Sequence, residues 1–196
     1  MLEKPNFYSV IIGTELLNGR RKDAHFAFLN QQLLSRGWEQ KASFVINDNT
    51  NLMENIFNLI KSDPNSVMFC FGGIGATPDD YTRVVAGKVF TSGAMEFHEE
   101  AKNRIINQFG EEAYPHRINM AYLPINAKLL KNVVNNVAGF YLEDRFFFTP
   151  GFPSMSQAMV IEALDSIYPK SIEKYKRVLT ATVSENDLID TMKKMP

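Results

Sequence analysis

The chain has 196 residues, 45% hydrophobic and 22% charged, with 21 Lys plus Arg against 22 Asp plus Glu for a formal net charge of -1. That is ordinary globular composition, enough for one domain with one substantial core, and it excludes a disordered, collagen-like or coiled-coil chain. The basic excess of a generic nucleic-acid binder is missing, the N-terminus lacks a signal-peptide layout, and no run approaches the roughly 20 apolar residues of a membrane helix.

Residues 8–12, a β-branched apolar run ending at Gly13, predict a buried strand. Residues 13–24 are polar, with Gly19 and the basic cluster Arg20, Arg21 and Lys22, and read as a loop. Phe26, Leu29, Leu33 and Leu34 then recur at helical spacing up to a stop at Gly37. Residues 38–46 predict a second strand, with Ala42, Phe44 and Ile46 on one face. Asn49 or Thr50 caps a helix carrying Leu52, Ile56, Leu59 and Ile60 on one stripe, broken by Asp63-Pro64-Asn65. The run VMFCF at 67–71, between Pro-Asn and Gly-Gly, predicts a central strand buried on both faces. Its Cys70, the single cysteine, reads as a buried inert thiol and favours a reducing, cytoplasmic setting.

This alternation of strands and helices predicts a mostly parallel α/β sheet with helices on both faces. Residues 79–90 and 95–109 read as two further helices, and 111–145 as an irregular excursion with a short hairpin. Residues 146–149 are another strand, stopped by Pro150-Gly151, and 154–167 another helix. A domain over 1–168 is expected, then a segment over 169–196 made of a polar connector (169–176), a strand (176–183) and a short helix (185–194).

Three strands end in unusual loops: Gly13-Thr14-Glu15, GGIGATPDDYTR at 72–83, and TPGFP at 149–153. In a parallel sheet these ends share the edge where open α/β sheets bind ligands. Gly72, Gly73 and Gly75 let the backbone approach an anion closely. Thr77 and Pro78 suit a helix start, which puts Asp79, Asp80 and Thr82 in the first turn. Two carboxylates beside an anion-binding loop repel a phosphate unless a cation mediates, and Mg²⁺ commonly pairs one or two carboxylates with phosphate oxygens. The plainer reading is a glycine turn into an acid-capped helix. The loop is neither a Walker A motif nor a dinucleotide fingerprint.

Together GTELLNGR at 13–20, GGIGATPDDYTR and TPGFP resemble the molybdenum-cofactor biosynthesis (MogA/MoaB-type) domain, in the version at the N-terminus of competence/damage-inducible protein A (CinA). Asn119-Met120-Ala121 and NNVAGF at 135–140 add to the likeness, which covers residues 7–167. Ala76 departs from the group's usual Pro, and Asp23-Ala24-His25 from its common Asn-Thr-Asn. The resemblance implies a three-layer α/β/α domain binding molybdopterin or a nucleotide at the sheet edge. Some members adenylylate molybdopterin with Mg²⁺ and ATP, and CinA-type domains are associated with ADP-ribose pyrophosphatase activity. Longer relatives carry a C-terminal amidohydrolase domain, which 196 residues do not accommodate, so its activity is not carried over.

On this resemblance Asp80 is the first candidate for the metal or catalytic carboxylate, with Asp79 and Glu15 next. Gly13, Thr14, Gly72, Gly73, Gly75, Thr77, Thr82, Pro150 and Gly151 form the expected ligand-binding loops. Arg20 or Arg21 could clamp a phosphate or be solvated, His25 could contact ligand or pack at a helix start, and His116-Arg117 could add a basic contact. The expected partner is a small-molecule pterin or nucleotide, held by an enzyme or by a non-catalytic binding module, with neither nucleic acid nor membrane involved. The resemblance also implies a homo-oligomer, dimer or trimer.

Overall fold

A computed structural model describes residues 2–169, 180 and 182–194. The first half contains β1 (Asn6–Ile12), α1 (Thr14–Leu17), α2 (His25–Ser35), β2 (Gln40–Ile46), α3 (Thr50–Lys61), β3 (Ser66–Phe71), α4 (Thr82–Phe90) and β4 (Met95–Phe97). The second half contains α5 (Glu99–Phe109), 3-10 turns at Gly110–Ala113 and Arg117–Ala121, β5 (Tyr122–Pro124), β6 (Lys128–Leu130), β7 (Gly139–Leu142), β8 (Phe146–Thr149), α6 (Pro153–Ile167) and α7 (Glu185–Met192).

Six strands form the main sheet in the order β2-β1-β3-β8-β7-β6. The first four are mutually parallel, and β7 and β6 complete the sheet in antiparallel fashion. The expected adjacency of the strands over 8–12, 67–71 and 146–149 therefore holds. So does the mostly parallel α/β architecture, and the excursion contributes the β6–β7 hairpin to the sheet.

Period-two alternation sorts the core into two layers. One row, Phe44–Val10–Cys70–Phe148–Phe140, crosses five strands and faces α3, α4 and α5. On the opposite face Phe7, Ile11, Val67, Phe69, Phe71 and Phe147 pack against Leu29 and Leu33 of α2 and against Met159, Val160 and Leu164 of α6. Every residue of β3 is buried, as its run of apolar residues predicts.

Several sequence expectations need correction. α4 starts at Thr82, not near 79, because the Asp80 carboxylate accepts the Thr77 amide and hydroxyl and winds 77–80 into a separate turn. Asp79 and Asp80 therefore precede the helix, and Pro78 is not in its first turn. The expected 95–109 helix is strand β4, paired with β5, followed by α5, whose His98 cap accepts the Ala101 amide at 3.3 Å. Within 13–24, Thr14–Leu17 winds one helical turn. In α2 the buried positions are His25, Leu29 and Leu33, with Phe26 and Leu34 exposed. In α3 they are Met53, Phe57 and Ile60, with Leu52 and Leu59 exposed. The expected 169–176 connector and 176–183 strand lie mostly outside the described residues, whereas the helix expected over 185–194 is α7, with a Ser184–Asp187 capping box.

Candidate functional site

The three glycine-bearing loops meet at the C-terminal edge of β1, β3 and β8. Gly72, directly after β3, has φ +106 and donates its amide to the Thr149 carbonyl at 2.9 Å. A Cβ on Gly72 would lie 2.6 Å from the Ile12 carbonyl oxygen, and one on Gly151 would lie 3.3 Å from Gly72 Cα. The loops are thus in backbone contact, which only glycine permits here.

Beyond this contact opens a cleft of about 440 Å³. Gly73, Gly75, Thr77 and Asp80 line it from the first glycine loop, and Pro150 and Gly151 from the loop after β8. Phe109, Met120, Phe152 and Met155 supply apolar wall, and Asn132 and Asn135 a polar rim. Asn132 is buried and held by Asn135 and by the Val137 carbonyl, both at 2.9 Å, so that rim is internally braced.

Behind the glycine loop, α4 begins. Thr82 donates its amide to the Gly73 carbonyl at 3.0 Å. Its hydroxyl is buried, has no hydrogen-bond partner among the described residues, and lies where a Cβ on Gly73 would collide with it. Next to it Arg83 is buried and donates to the carbonyls of Gly75 at 2.7 Å and of Asn119. Burial pushes the Arg83 guanidinium pKa down, and the nearby Asp80 carboxylate opposes that shift. Asp80 Oδ2 takes both Thr77 bonds, whereas Oδ1 accepts no hydrogen bond among the described residues. Asp79 is exposed beside it.

A tighter recess lies on the other side of Gly151, lined by Glu15, Arg21, Asp23 and His25 among others. Arg21 donates to the Gly151 carbonyl at 3.0 Å and lies 3.6 Å from the Glu15 carboxylate. His25 is buried, stacks on Phe71 at 4.5 Å, and places Nε2 3.2 Å from the same carbonyl and Nδ1 3.3 Å from Ser156 Oγ. One neutral tautomer satisfies both contacts, with Nε2–H donating to the carbonyl and Nδ1 accepting from the hydroxyl. Burial lowers its pKa.

The structure therefore gathers Gly73, Gly75, Thr77, Asp80, Pro150 and Gly151 on one cleft, with Gly72 and Thr82 in the loop and helix start behind it. Glu15 and His25 sit behind Gly151, in the second recess. Gly13 and Thr14 are tied towards β2, through the Ile46 carbonyl at 3.0 Å and the Asp48 carboxylate at 2.7 Å. Arg20 turns onto the Asn18 side chain at 3.2 Å, and it is Arg21 that reaches the loops. Among the described residues no group of three or more His, Cys, Asp or Glu gathers as a metal site, and no helix is long and apolar enough to cross a membrane. Sequence reasoning missed Arg83. Its signal is its place on the apolar stripe of α4, three residues before Ala86 and seven before Phe90, where a charge needs a buried partner.

Over residues 9–169 the chain matches the family described as "Probable molybdopterin binding domain". It is 33% identical over 174 residues to a CinA-like protein of Geotalea uraniireducens, covering 85% of this chain and 40% of that protein. A CinA-like protein of Geotalea daltonii is 29% identical over 187 residues, covering 90% of this chain and 45% of its own length. The chain thus spans less than half the length of these two relatives. The fold is that of the crystal structure of the protein CinA from Thermoplasma acidophilum, with TM-score 0.73, 24% identity, and coverage of 83% of this chain and 96% of that one. A tungsten cofactor synthesizing protein, MoaB, from Pyrococcus furiosus superposes with TM-score 0.50 at 16% identity, covering 85% and 93%.

Proposed function

The chain belongs to the family described as "Probable molybdopterin binding domain", and from that membership we propose that its glycine-lined cleft binds a phosphorylated pterin or nucleotide through the phosphate. The observation that carries this reading is the lining of the cleft, where the Gly73 and Gly75 backbone, Thr77 and Asp80 converge beside Pro150 and Gly151 of the loop after β8. A phosphate beside Gly73 and Gly75 lies near the positive end of α4, whose first residue, Thr82, is tied to the Gly73 carbonyl. Gly73 and Gly75 keep the approach open, since a Cβ on Gly75 would lie 2.6 Å from Asp80 Oδ2. The buried charge of Arg83 offsets that of Asp80 behind the loop. The apolar wall of Phe109, Met120 and Phe152 suits the organic part of such a ligand.

Magnesium, or another divalent cation, fits the donors present. Asp80 and Asp79 are hard oxygen ligands, and Asp80 Oδ1 accepts no hydrogen bond among the described residues. When bound it neutralises the repulsion between carboxylate and phosphate and polarises a phosphoryl oxygen. Asp80 and Asp79 hold it in this reading, while the backbone at Gly73 and Gly75 holds the phosphate. Glu15 pairs with Arg21 and supports the loop after β8 from behind.

A homo-oligomer, dimer or trimer, belongs to the same reading, supported by the resemblance to MogA/MoaB- and CinA-type domains. A cytoplasmic setting is supported by the lone buried thiol of Cys70.

Calorimetric titration with ADP, ADP-ribose and a phosphorylated pterin, each with and without Mg²⁺, tests the proposal. Mg²⁺-dependent binding of at least one is expected. AMP released from ADP-ribose makes the site a pyrophosphatase, and saturable binding without turnover makes it a binding module. No binding of any of the three overturns the proposal.

A further inference from the structure

The glycine loop borders a second recess, of about 620 Å³, on the far side of Thr77. Ala76 and Thr77 line both this recess and the cleft, so the two adjoin at the loop. Pro78 forms one wall, and Tyr114, His116 and Arg117, from the stretch between α5 and β5, form the other.

These three residues differ in their commitments. The Arg117 guanidinium is spent within the chain, donating to the Glu112 carboxylate at 2.9 Å and carbonyl at 3.0 Å, and lying 4.7 Å from the centre of the Phe109 ring. Tyr114 and His116 have no side-chain hydrogen bond, ion pair or ring contact among the described residues, and Tyr114 is 56% exposed. Yet the stretch that carries them is anchored, because Ala113 and Ala121 are fully buried and Ile118 nearly so. An aromatic ring is thus displayed on a fixed backbone, across a recess from a proline and within reach of the loop that lines the cleft.

Resting on the phosphate reading above, we propose that this recess is a ring subsite. It takes the planar heteroaromatic end of the ligand whose phosphate lies at Gly73–Gly75, with Tyr114 as the stacking face. A second phosphate is a poor occupant, because Arg117 is already paired and the Glu112 carboxylate stands at the wall. A flat ring buries the apolar faces of Tyr114 and Pro78, and its edge can meet the hydroxyl of Thr77 and the imidazole of His116. Purine and pterin rings share this chemistry.

Titration in Mg²⁺ of ADP, a dihydroneopterin phosphate and inorganic pyrophosphate tests the subsite on wild type, Tyr114→Ala, Tyr114→Phe and Gly73→Val. Tyr114→Ala is expected to weaken at least one ring-bearing probe about tenfold, the scale of base–aromatic stacking, and to leave pyrophosphate within about twofold. Tyr114→Phe retains the ring-bearing affinity, and the probe that suffers identifies purine or pterin. Unchanged affinity for both ring-bearing probes in Tyr114→Ala overturns the subsite, as does an equal loss for pyrophosphate. Failure of the phosphate reading looks different: pyrophosphate does not bind wild type, or binds Gly73→Val equally well, and both proposals then fall.

Discussion

The imidazole of His25 holds the carbonyl of Gly151, with Nε2 at 3.2 Å from the oxygen and the ring stacked on Phe71. Arg21 converges on the same oxygen, so two side chains from the loop after β1 fix the loop after β8. Because burial lowers the His25 pKa, the unfolded chain binds a proton more readily than the folded one. The stability this residue contributes is then full above its ordinary value of 6.5 and is lost as pH falls through the lowered folded value. Urea denaturation at pH 8, 7, 6 and 5 is expected to show wild type weakening below about 6.5, and His25→Gln weakening less over that range. His25→Ala is expected to cost about 2 kcal/mol at pH 8, because the Gly151 carbonyl and Ser156 both lose a partner. Parallel pH profiles for wild type and His25→Gln would refute this assignment.

Asp63 predicts a second acid transition in a different window. It accepts from Asn6 and Tyr8 at 2.8 Å, from Lys41 at 2.9 Å and from the Asn65 amide at 3.0 Å, at the opposite edge of the sheet. Burial pushes its carboxyl up, but the bonds from Lys41, Tyr8, Asn65 and Asn6 outweigh burial and hold it well below the carboxylate range. Its contribution is present above the unfolded value of 3.8 and lost as pH falls below it. Asp63→Ala is expected to cost about 1–3 kcal/mol at neutral pH and to flatten the acid limb of the stability curve below pH 4, leaving the His25 limb intact. Circular dichroism across pH 2 to 7 reads both limbs.

Gly72 and Gly19 both have positive φ but differ in surroundings. Nothing lies within 4 Å of a Cβ on Gly19, whereas one on Gly72 would meet the Ile12 carbonyl at 2.6 Å. Gly19→Ala therefore carries backbone strain alone, about 1 kcal/mol. Gly72→Ala adds a clash with strand backbone, which cannot swing aside as a side chain can, and is expected to cost about 3 kcal/mol or more. Equal thermal shifts for the two variants would contradict the backbone contact at the sheet edge.

The sheet was legible because strand burial follows a short period. Runs such as 67–71 have no polar residue to misplace, and Gly13, Gly72 and Pro150-Gly151 mark where the strands stop. Helix faces were less legible. α2 and α3 each carry more apolar residues than one face holds, so Phe26, Leu34, Leu52 and Leu59 compete with the true inward positions, and only the sheet beneath decides. The start of α4 was misjudged because Thr77, Pro78 and Asp79 are good helix openers. The contact that forestalls the helix, Asp80 back to Thr77, is a side-chain bond that propensity does not encode. The glycine loops of the site were visible as strings. Arg83 was hidden, and Arg21, read as a phosphate clamp or a solvated charge, holds the Gly151 carbonyl instead, because the carbonyl partners of a basic residue, here Gly75 and Gly151, are known only once the fold brings them to it.

Asp80 offers the sharpest separation between a structural and a ligand-binding role. Its Oδ2 fixes the turn by accepting the Thr77 amide at 2.9 Å and the Thr77 hydroxyl. An asparagine can accept both bonds through its amide oxygen, so Asp80→Asn keeps the turn and the shape of the cleft while removing the charge. Asp80→Ala removes turn and charge together. If Asp80 only closes the turn, Asp80→Asn behaves as wild type, and Asp80→Ala loses about 1 kcal/mol of stability with only a modest effect on binding. If it also holds a divalent cation against a phosphate, both variants lose Mg²⁺-dependent affinity by tenfold or more, about 1.4 kcal/mol, and only Asp80→Ala loses stability as well. We expect the second pattern. Titrating ADP with and without Mg²⁺ on the three proteins, beside their thermal unfolding, separates the two roles. Equal affinity for wild type and Asp80→Asn under both conditions would reduce Asp80 to a turn residue.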